Sequence, residues 1–342
     1  MKKSIYLILS LVLVVFLFTG CGGNNSSVST EANNEKIVMK LATQHPTDHM
    51  AYASALRIKE KVETETNGHI EIQIYPANQL GDYVQVYEEV IRGTIEMAHI
   101  GIPDQFDSRL SAGFMPYLAK NYDEVNKVFG PGSYLSEEMA KFHKDLGVKF
   151  LGYYCEGMMG IGTIKTPDDP ADFTVDKNVL LRVAPMDSFK FGPEALGYRT
   201  TTIPYSDTFA ALQTGVADGW SGGAPNINYL SFRDVIKNYY QYNLHQESTQ
   251  YVMNLELFNS LTPEEQKIIV DAFGEESANS AKEAEKEDKI YKEKLKEAGV
   301  NVVEFSPEEL EAMAEHVRTT VWPKLYEGLT KELVMGILDS LK

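Results

Sequence analysis

The stretch VLLRVAPMDSFKFGPEALGYRTTTIPYSDTFAALQTGVADG, residues 179–219, decides the fold. Val179 to Val183 is a short apolar run with one Arg in it and reads as a strand. A helical pattern follows over Ser188–Leu196, and Pro193 predicts that this helix is kinked or starts late. Residues 200–204 are rich in Thr and Ile and read as β. Tyr205-Ser206-Asp207 then opens a helix running to about Thr214, which Gly215 ends. Strand, helix, strand, helix in this order is the pattern of a sheet covered by helices.

The same alternation occurs nearer the N-terminus. Ile37 to Leu41 is a buried-strand run. His45-Pro46-Thr47-Asp48 ends it, and Thr47 or Asp48 is expected to cap a helix from about His49 to Thr66. Asn67-Gly68 stops that helix. Ile70, Ile72 and Ile74 alternate with polar residues, as in a strand with one buried face. A helix over Asp82–Arg92 and a strand over Glu96–Ile100 complete the series, and Val148–Tyr153 is a further strand. Two separate series predict two lobes rather than one long sheet. The C-terminal third reads as helical. Thr262-Pro263-Glu264-Glu265 and Ser306-Pro307-Glu308-Glu309 are capping boxes with Pro at the first helical position. Residues 275–298 are too polar to be a core helix, so that segment is expected to be solvated or to bridge lobes.

Lys2 and Lys3 precede an apolar run from Ile5 to Phe18, too short to span a bilayer comfortably. Residues 1–20 therefore read as a secretory signal peptide. Leu17-Phe18-Thr19-Gly20-Cys21 resembles a bacterial lipobox, with Phe18 where Leu is usual, which implies a lipid on Cys21. Residues 21–35 follow as a polar tether. The expected location is outside the cytoplasm, with the chain held at the membrane by its lipid. Beyond Cys21 the only cysteine is Cys155, so no internal disulfide is possible and Cys155 is expected to be a core residue. Without the two leader lysines there are 30 basic against 49 acidic residues, a formal charge of −19. That balance argues against nucleic acid as a partner. It also makes an Arg in a cleft more telling, since an anionic ligand gains nothing from the overall field.

Leu181-Arg182-Val183, Leu196-Gly197, Ile203-Pro204-Tyr205-Ser206-Asp207 and Ala211 to Gly219 resemble the substrate-binding protein of TRAP transporters, the DctP type. Thr66 to Ile70, Pro76 to Asp82 and Gly93 to Met97 match the usual motifs of that family in order, and the resemblance covers about residues 37–330. It implies an α/β, two-lobed periplasmic-binding-protein-like clamp with a long helix spanning both lobes. Residues 36–154 and 250–288 would form the first lobe, and 155–249 and 289–342 the second. It implies a small organic acid as ligand, the small and large TRAP membrane subunits as partners, no cofactor and no catalysis.

The residue matching the family's ligand-binding Arg is Arg182, whose planar guanidinium fits a carboxylate's two oxygens. The plainer alternative is a structural ion pair with Asp172 or Asp187. The family's second cleft Arg falls near Met159, within Glu156 to Gly162. The Asn that often follows Asp-Gly is missing from Trp220-Ser221-Gly222-Gly223-Ala224-Pro225. A ligand with one carboxylate and an apolar or aromatic body is therefore expected, in a cleft lined by Glu156, Met159, Trp220 and Ser221. Core packing is the alternative for Met158, Met159 and Trp220. Gln44, His45 or Asp48 is expected to contact the ligand from the first lobe, and Asp207 either to contact it or to cap its helix. His45, His49 and Asp48 are metal-ligand types, but Pro46 puts His45 outside the helix and no metal is expected.

Three rival readings remain. No Gly-x-Ser-x-Gly, His-Glu-x-x-His or phosphate-binding glycine loop supports an enzyme. A sensory binding protein docking on a receptor kinase would share the fold and the cleft. An ABC-type binding lipoprotein fits the motif order less well.

Overall fold

A computed structural model describes residues 36–341. The expected signal peptide, the lipidation site at Cys21 and the tether lie outside the described residues. Among the described residues no helix is long and apolar enough to cross a membrane.

The chain builds two sheets. The first has the order β2-β1-β3-β10-β4. Its strands are β1 (Ile37–Thr43), β2 (Ile70–Tyr75), β3 (Met97–Ile100), β4 (Val148–Met158) and β10 (Gln246–Asn254). β1 runs parallel to β2 and β3, and β10 runs antiparallel to β3 and β4. The second sheet has the order β11-β9-β5-β8-β6-β7. It contains β5 (Ile161–Thr163), β6 (Leu180–Val183), β7 (Arg199–Thr202), β8 (Gly219–Ser221), β9 (Asn238–Gln241) and β11 (Asn301–Glu304). The architecture is the mixed α/β, two-lobed clamp.

Helices cover both sheets. α1 (Met50–Glu65) and α2 (Tyr83–Arg92) connect the first strands. α1 is capped by His49, whose side chain accepts the Ala51 N–H, and not by Thr47 or Asp48 as the sequence suggests. Then come α3 (Tyr122–Phe129), α4 (Tyr134–Asp145), α5 (Asp187–Ala195), α6 (Thr208–Thr214), α7 (Pro225–Ile227) and α8 (Leu255–Ser260). α9 (Pro263–Glu297) unites the capping box at Thr262 with the polar 275–298 segment in one helix of 35 residues. At 1.5 Å per residue it is about 52 Å long. It packs against α1, α3 and β4 on one side of the molecule and against α7 and β11 on the other. α10 (Pro307–Leu329) lies on α5, and α11 (Lys331–Ser340) returns to α3 and α4 beside the first sheet.

The chain passes between the sheets at three places: β4 to β5, β9 to β10, and α9 to β11. The first two passages hydrogen-bond to each other. The Met159 N–H donates to the His245 carbonyl at 2.9 Å, and the Leu244 N–H to the Met159 carbonyl at 3.2 Å. Asp288 of α9 braces this joint, accepting the Met158 N–H at 3.1 Å and the Tyr122 hydroxyl. Gln241 accompanies it, donating to the Met158 carbonyl at 2.8 Å.

Burial raises the Asp288 carboxyl to about 7, against the opposing bonds from Tyr122 and Met158. An unfolded Asp ionises near 3.8, so between there and about 7 the folded state holds a proton that the unfolded state has lost. Stability from this group is complete below the lower value and is lost as pH rises through the upper one. Asp288→Asn keeps an acceptor oxygen for both bonds. It is expected to remove a decline on the order of a few kcal/mol between about pH 4 and 7. Denaturant unfolding across that range measures it, and an unchanged pH slope would refute the assignment.

Candidate functional site

Between the sheets lies a small cavity of about 70 Å³. The first sheet's side contributes Gln44 and His45 from the turn after β1, Tyr83 from α2, and Glu156 from the end of β4. The second contributes Arg182 of β6, Tyr205, and Trp220 and Ser221 of β8. Glu247, near the start of β10, faces the cavity from the joint.

Arg182 is buried, and its Nε donates to the Ile203 carbonyl at 2.8 Å. Its Nη2 is buried without a hydrogen-bond partner. Among the described residues no carboxylate is within ion-pair distance. Asp172 instead accepts from Thr174, and neither it nor Asp187 pairs with Arg182. Burial lowers the guanidinium pKa, while Tyr83, Tyr205, Asp82 and Glu247 work the other way. A guanidinium remains protonated in such settings. A buried charge with an unused donor fork is costly unless something anionic arrives.

Glu156 is the opposite case, a buried carboxylate that is well supplied. His45 Nε2 lies 2.8 Å from one oxygen, to which the Thr249 hydroxyl donates at 2.5 Å, and His49 Nε2 lies 3.6 Å from the other. Burial alone would raise its pKa, but His45, His49 and Thr249 hold it below the usual range. Burial and His45 push His49 down to about 4, so this ring is neutral near pH 7. Its Nδ1 accepts the Ala51 N–H, which leaves the ring proton on Nε2, facing Glu156.

His45, His49 and Glu156 are also the residue types of a metal site, with ligand atoms within 4.8 Å of one another. The two imidazoles stack at 4.8 Å and 16° interplanar angle, and both Nε2 atoms face the Glu156 carboxylate. The cap bond on His49 Nδ1 also keeps its Nε2 lone pair occupied by a proton. His45 and Thr249 hydrogen-bond the Glu156 carboxylate, while His49 Nε2 faces it at 3.6 Å without a hydrogen bond.

Glu247 carries no such support. Burial, and next the Glu156 charge, raise its carboxyl to about 8, opposed by the Gly223 N–H at 3.2 Å and by Arg182.

The structure brings Gln44, His45, Glu156, Arg182, Trp220 and Ser221 to one cavity. It does not bring Met159, which is packed in the core at the joint, its backbone bonded to His245 and Leu244. Nor does it bring Asp207, which is exposed at the start of α6 and whose side chain makes no cap bond. Asp48 is exposed and also lies outside. Trp220 offers only its apolar face, because its N–H donates to Asn228 at 3.0 Å. Asn226 and Asn228, which follow the Gly-Gly segment, bond to the Glu156 carbonyl and to the loop itself. Sequence reasoning missed Tyr83, Phe114, Phe189, Tyr205 and Glu247. Of these only Tyr205 sat inside a motif that could have marked it.

Residues 41–328 match the profile described as bacterial extracellular solute-binding protein, family 7. An uncharacterized protein of Haemophilus influenzae is 30% identical over 186 residues, 54% of this chain and 55% of that protein, so the match spans about half of that relative's length. The C4-dicarboxylate-binding periplasmic protein DctP of Vibrio cholerae is 23% identical over 99% of both chains. A TRAP periplasmic solute binding protein of Desulfovibrio salexigens, solved with bound orotic acid, superposes with a TM-score of 0.82. That comparison covers 90% of this chain and 99% of the other at 22% identity, and it establishes the shared fold.

Proposed function

We propose, from the premise that this chain belongs to the bacterial extracellular solute-binding protein family 7, that it captures a small organic monocarboxylate outside the cytoplasm. It delivers this solute to the small and large membrane subunits of a TRAP-type transporter, from a lipid anchor on Cys21. Arg182 carries the reading: its buried guanidinium keeps unpartnered donors facing the cavity between the sheets. A carboxylate there makes a charge-assisted, two-point contact that is stronger in a dry site than on a surface. One guanidinium in the cavity supports one carboxylate on the ligand. Tyr83, Phe114, Phe189 and Trp220 support an apolar or aromatic body beside it. The Vibrio relative's C4-dicarboxylate and the Desulfovibrio protein's orotic acid are both small organic acids. Met159 and Asp207 have no part in this site.

A thermal-shift screen of monocarboxylates, dicarboxylates and neutral sugars tests it. A ligand at 1,000 times its Kd stabilises the folded state by about 4 kcal/mol, which raises Tm by several degrees. Monocarboxylates are expected to give that shift. Stabilisation by neutral compounds alone would overturn the reading.

A further inference from the structure

The charge in the cavity is lopsided for a site that takes a simple anion. One guanidinium, Arg182, shares it with two carboxyl groups, Glu156 and Glu247. Glu156 is already supplied by hydrogen bonds from His45 and Thr249. Glu247 is not. One of its oxygens accepts the Gly223 N–H at 3.2 Å, and among the described residues the other has no hydrogen-bond partner. It does not pair with Arg182 either, although both face the same space. The donors of one group and the acceptor of the other are thus left open together.

We infer that the solute is a zwitterion, an amino or imino acid whose carboxylate takes Arg182 and whose protonated amine takes the free oxygen of Glu247. This rests on the monocarboxylate reading and sharpens it. The aromatic walls suit such a ligand, because Tyr83, Phe114, Phe189, Tyr205 and Trp220 offer apolar area to its side chain and electron-rich faces to its ammonium. The joint supplies the geometry, since β10 pairs Glu247 with Gly157, next to Glu156 on β4. The charged and titratable groups that act on Glu247 are Glu156 on β4, Arg182 on β6, Tyr205 and Tyr239. In the free protein its carboxyl is raised to about 8, so at neutral pH it is mostly protonated. An arriving ammonium restores the carboxylate, and the proton leaves to solvent. A plain carboxylate would instead hold the proton on.

Titration calorimetry on the purified full-length protein tests this with matched pairs: phenylalanine against 3-phenylpropionate, leucine against 4-methylpentanoate, and proline against cyclopentanecarboxylate, with both enantiomers of each amino acid. At least one amino or imino acid is expected to bind about tenfold tighter or more than its amine-free partner. Glu247→Gln, which keeps an acceptor for Gly223, is expected to abolish that preference with an unchanged Tm. Binding at pH 7 should release protons, read from two buffers of different ionisation enthalpy. Equal or tighter binding of the amine-free acids, with proton uptake, would overturn the inference and leave the monocarboxylate reading standing. Absence of binding across both series would overturn that reading and the zwitterion with it.

Discussion

Arg182→Ala is expected to weaken solute binding by at least about a hundredfold while the protein stays folded. Removing one partner of a buried, hydrogen-bonded charge pair costs roughly 2–5 kcal/mol, and each 1.4 kcal/mol is a factor of ten in affinity. The fold should tolerate the change. Arg182 makes one side-chain hydrogen bond, to the Ile203 carbonyl, and no ion pair among the described residues. The mutation removes an uncompensated buried charge at the same time as it leaves a small void, and the two effects oppose each other. Arg182→Lys should not rescue binding, because an ammonium lacks the planar fork. Calorimetry on both variants, with circular dichroism as the folding control, provides the measurement. Near-native affinity in a folded Arg182→Ala protein would remove Arg182 from the site.

Gly157→Ala should cost more than about 4 kcal/mol of stability, a size reached only by special backbone sites and badly packed cores. Gly157 has φ +136°, which a residue with a Cβ rarely adopts. An added Cβ would lie 2.3 Å from Asp288 Oδ1 and 2.6 Å from the Ala224 Cβ. Neither neighbour can easily move: Asp288 holds the Met158 N–H and the Tyr122 hydroxyl, and Ala224 leads into α7. Gly132→Ala makes the control. Its φ is +76° but nothing lies within 4 Å of the new Cβ, so only the backbone term of about 1 kcal/mol applies. Adding Asp288→Ala to Gly157→Ala should recover part of the loss, since it relieves the closer clash but not the dihedral. Equal Tm values for the Gly157→Ala and Gly132→Ala variants would show that the joint yields.

Local punctuation made the first half of the fold legible. Asn67-Gly68 and Gly93 stop α1 and α2, and alternating Ile70, Ile72 and Ile74 mark β2. The cap of α1 was misread because a histidine ring can accept an N–H as Asp or Thr does, and only the ring's position reveals it. The unity of α9 was not drawn from the sequence, where the capping box at Thr262 and the polar 275–298 segment were read apart; Gly274 between them leaves the helix unbroken. At the site, Arg182 drew attention because a motif surrounds it, and Tyr205 lies in the same run of motifs without having been picked out. Met159 lies outside the cavity because β4 ends at Met158 and the chain there pairs with 244–245. Glu247 carries no local signal at all. Its role comes from the antiparallel pairing of β10 with β4, a contact between residues some ninety positions apart in sequence.

The long helix has a practical consequence for watching this protein at work. α9 is one unbroken rod touching elements of both sheets, so its length is fixed whatever the cavity does. Fluorophores at exposed Lys267 and Lys296 would sit about 43 Å apart and act as an internal length standard. A second pair bridging exposed Leu56 of α1 and Val216 beside α6 would report on the cavity itself. Distance changes in that pair, read against a constant signal from the rod, would separate true opening from drift in the dyes.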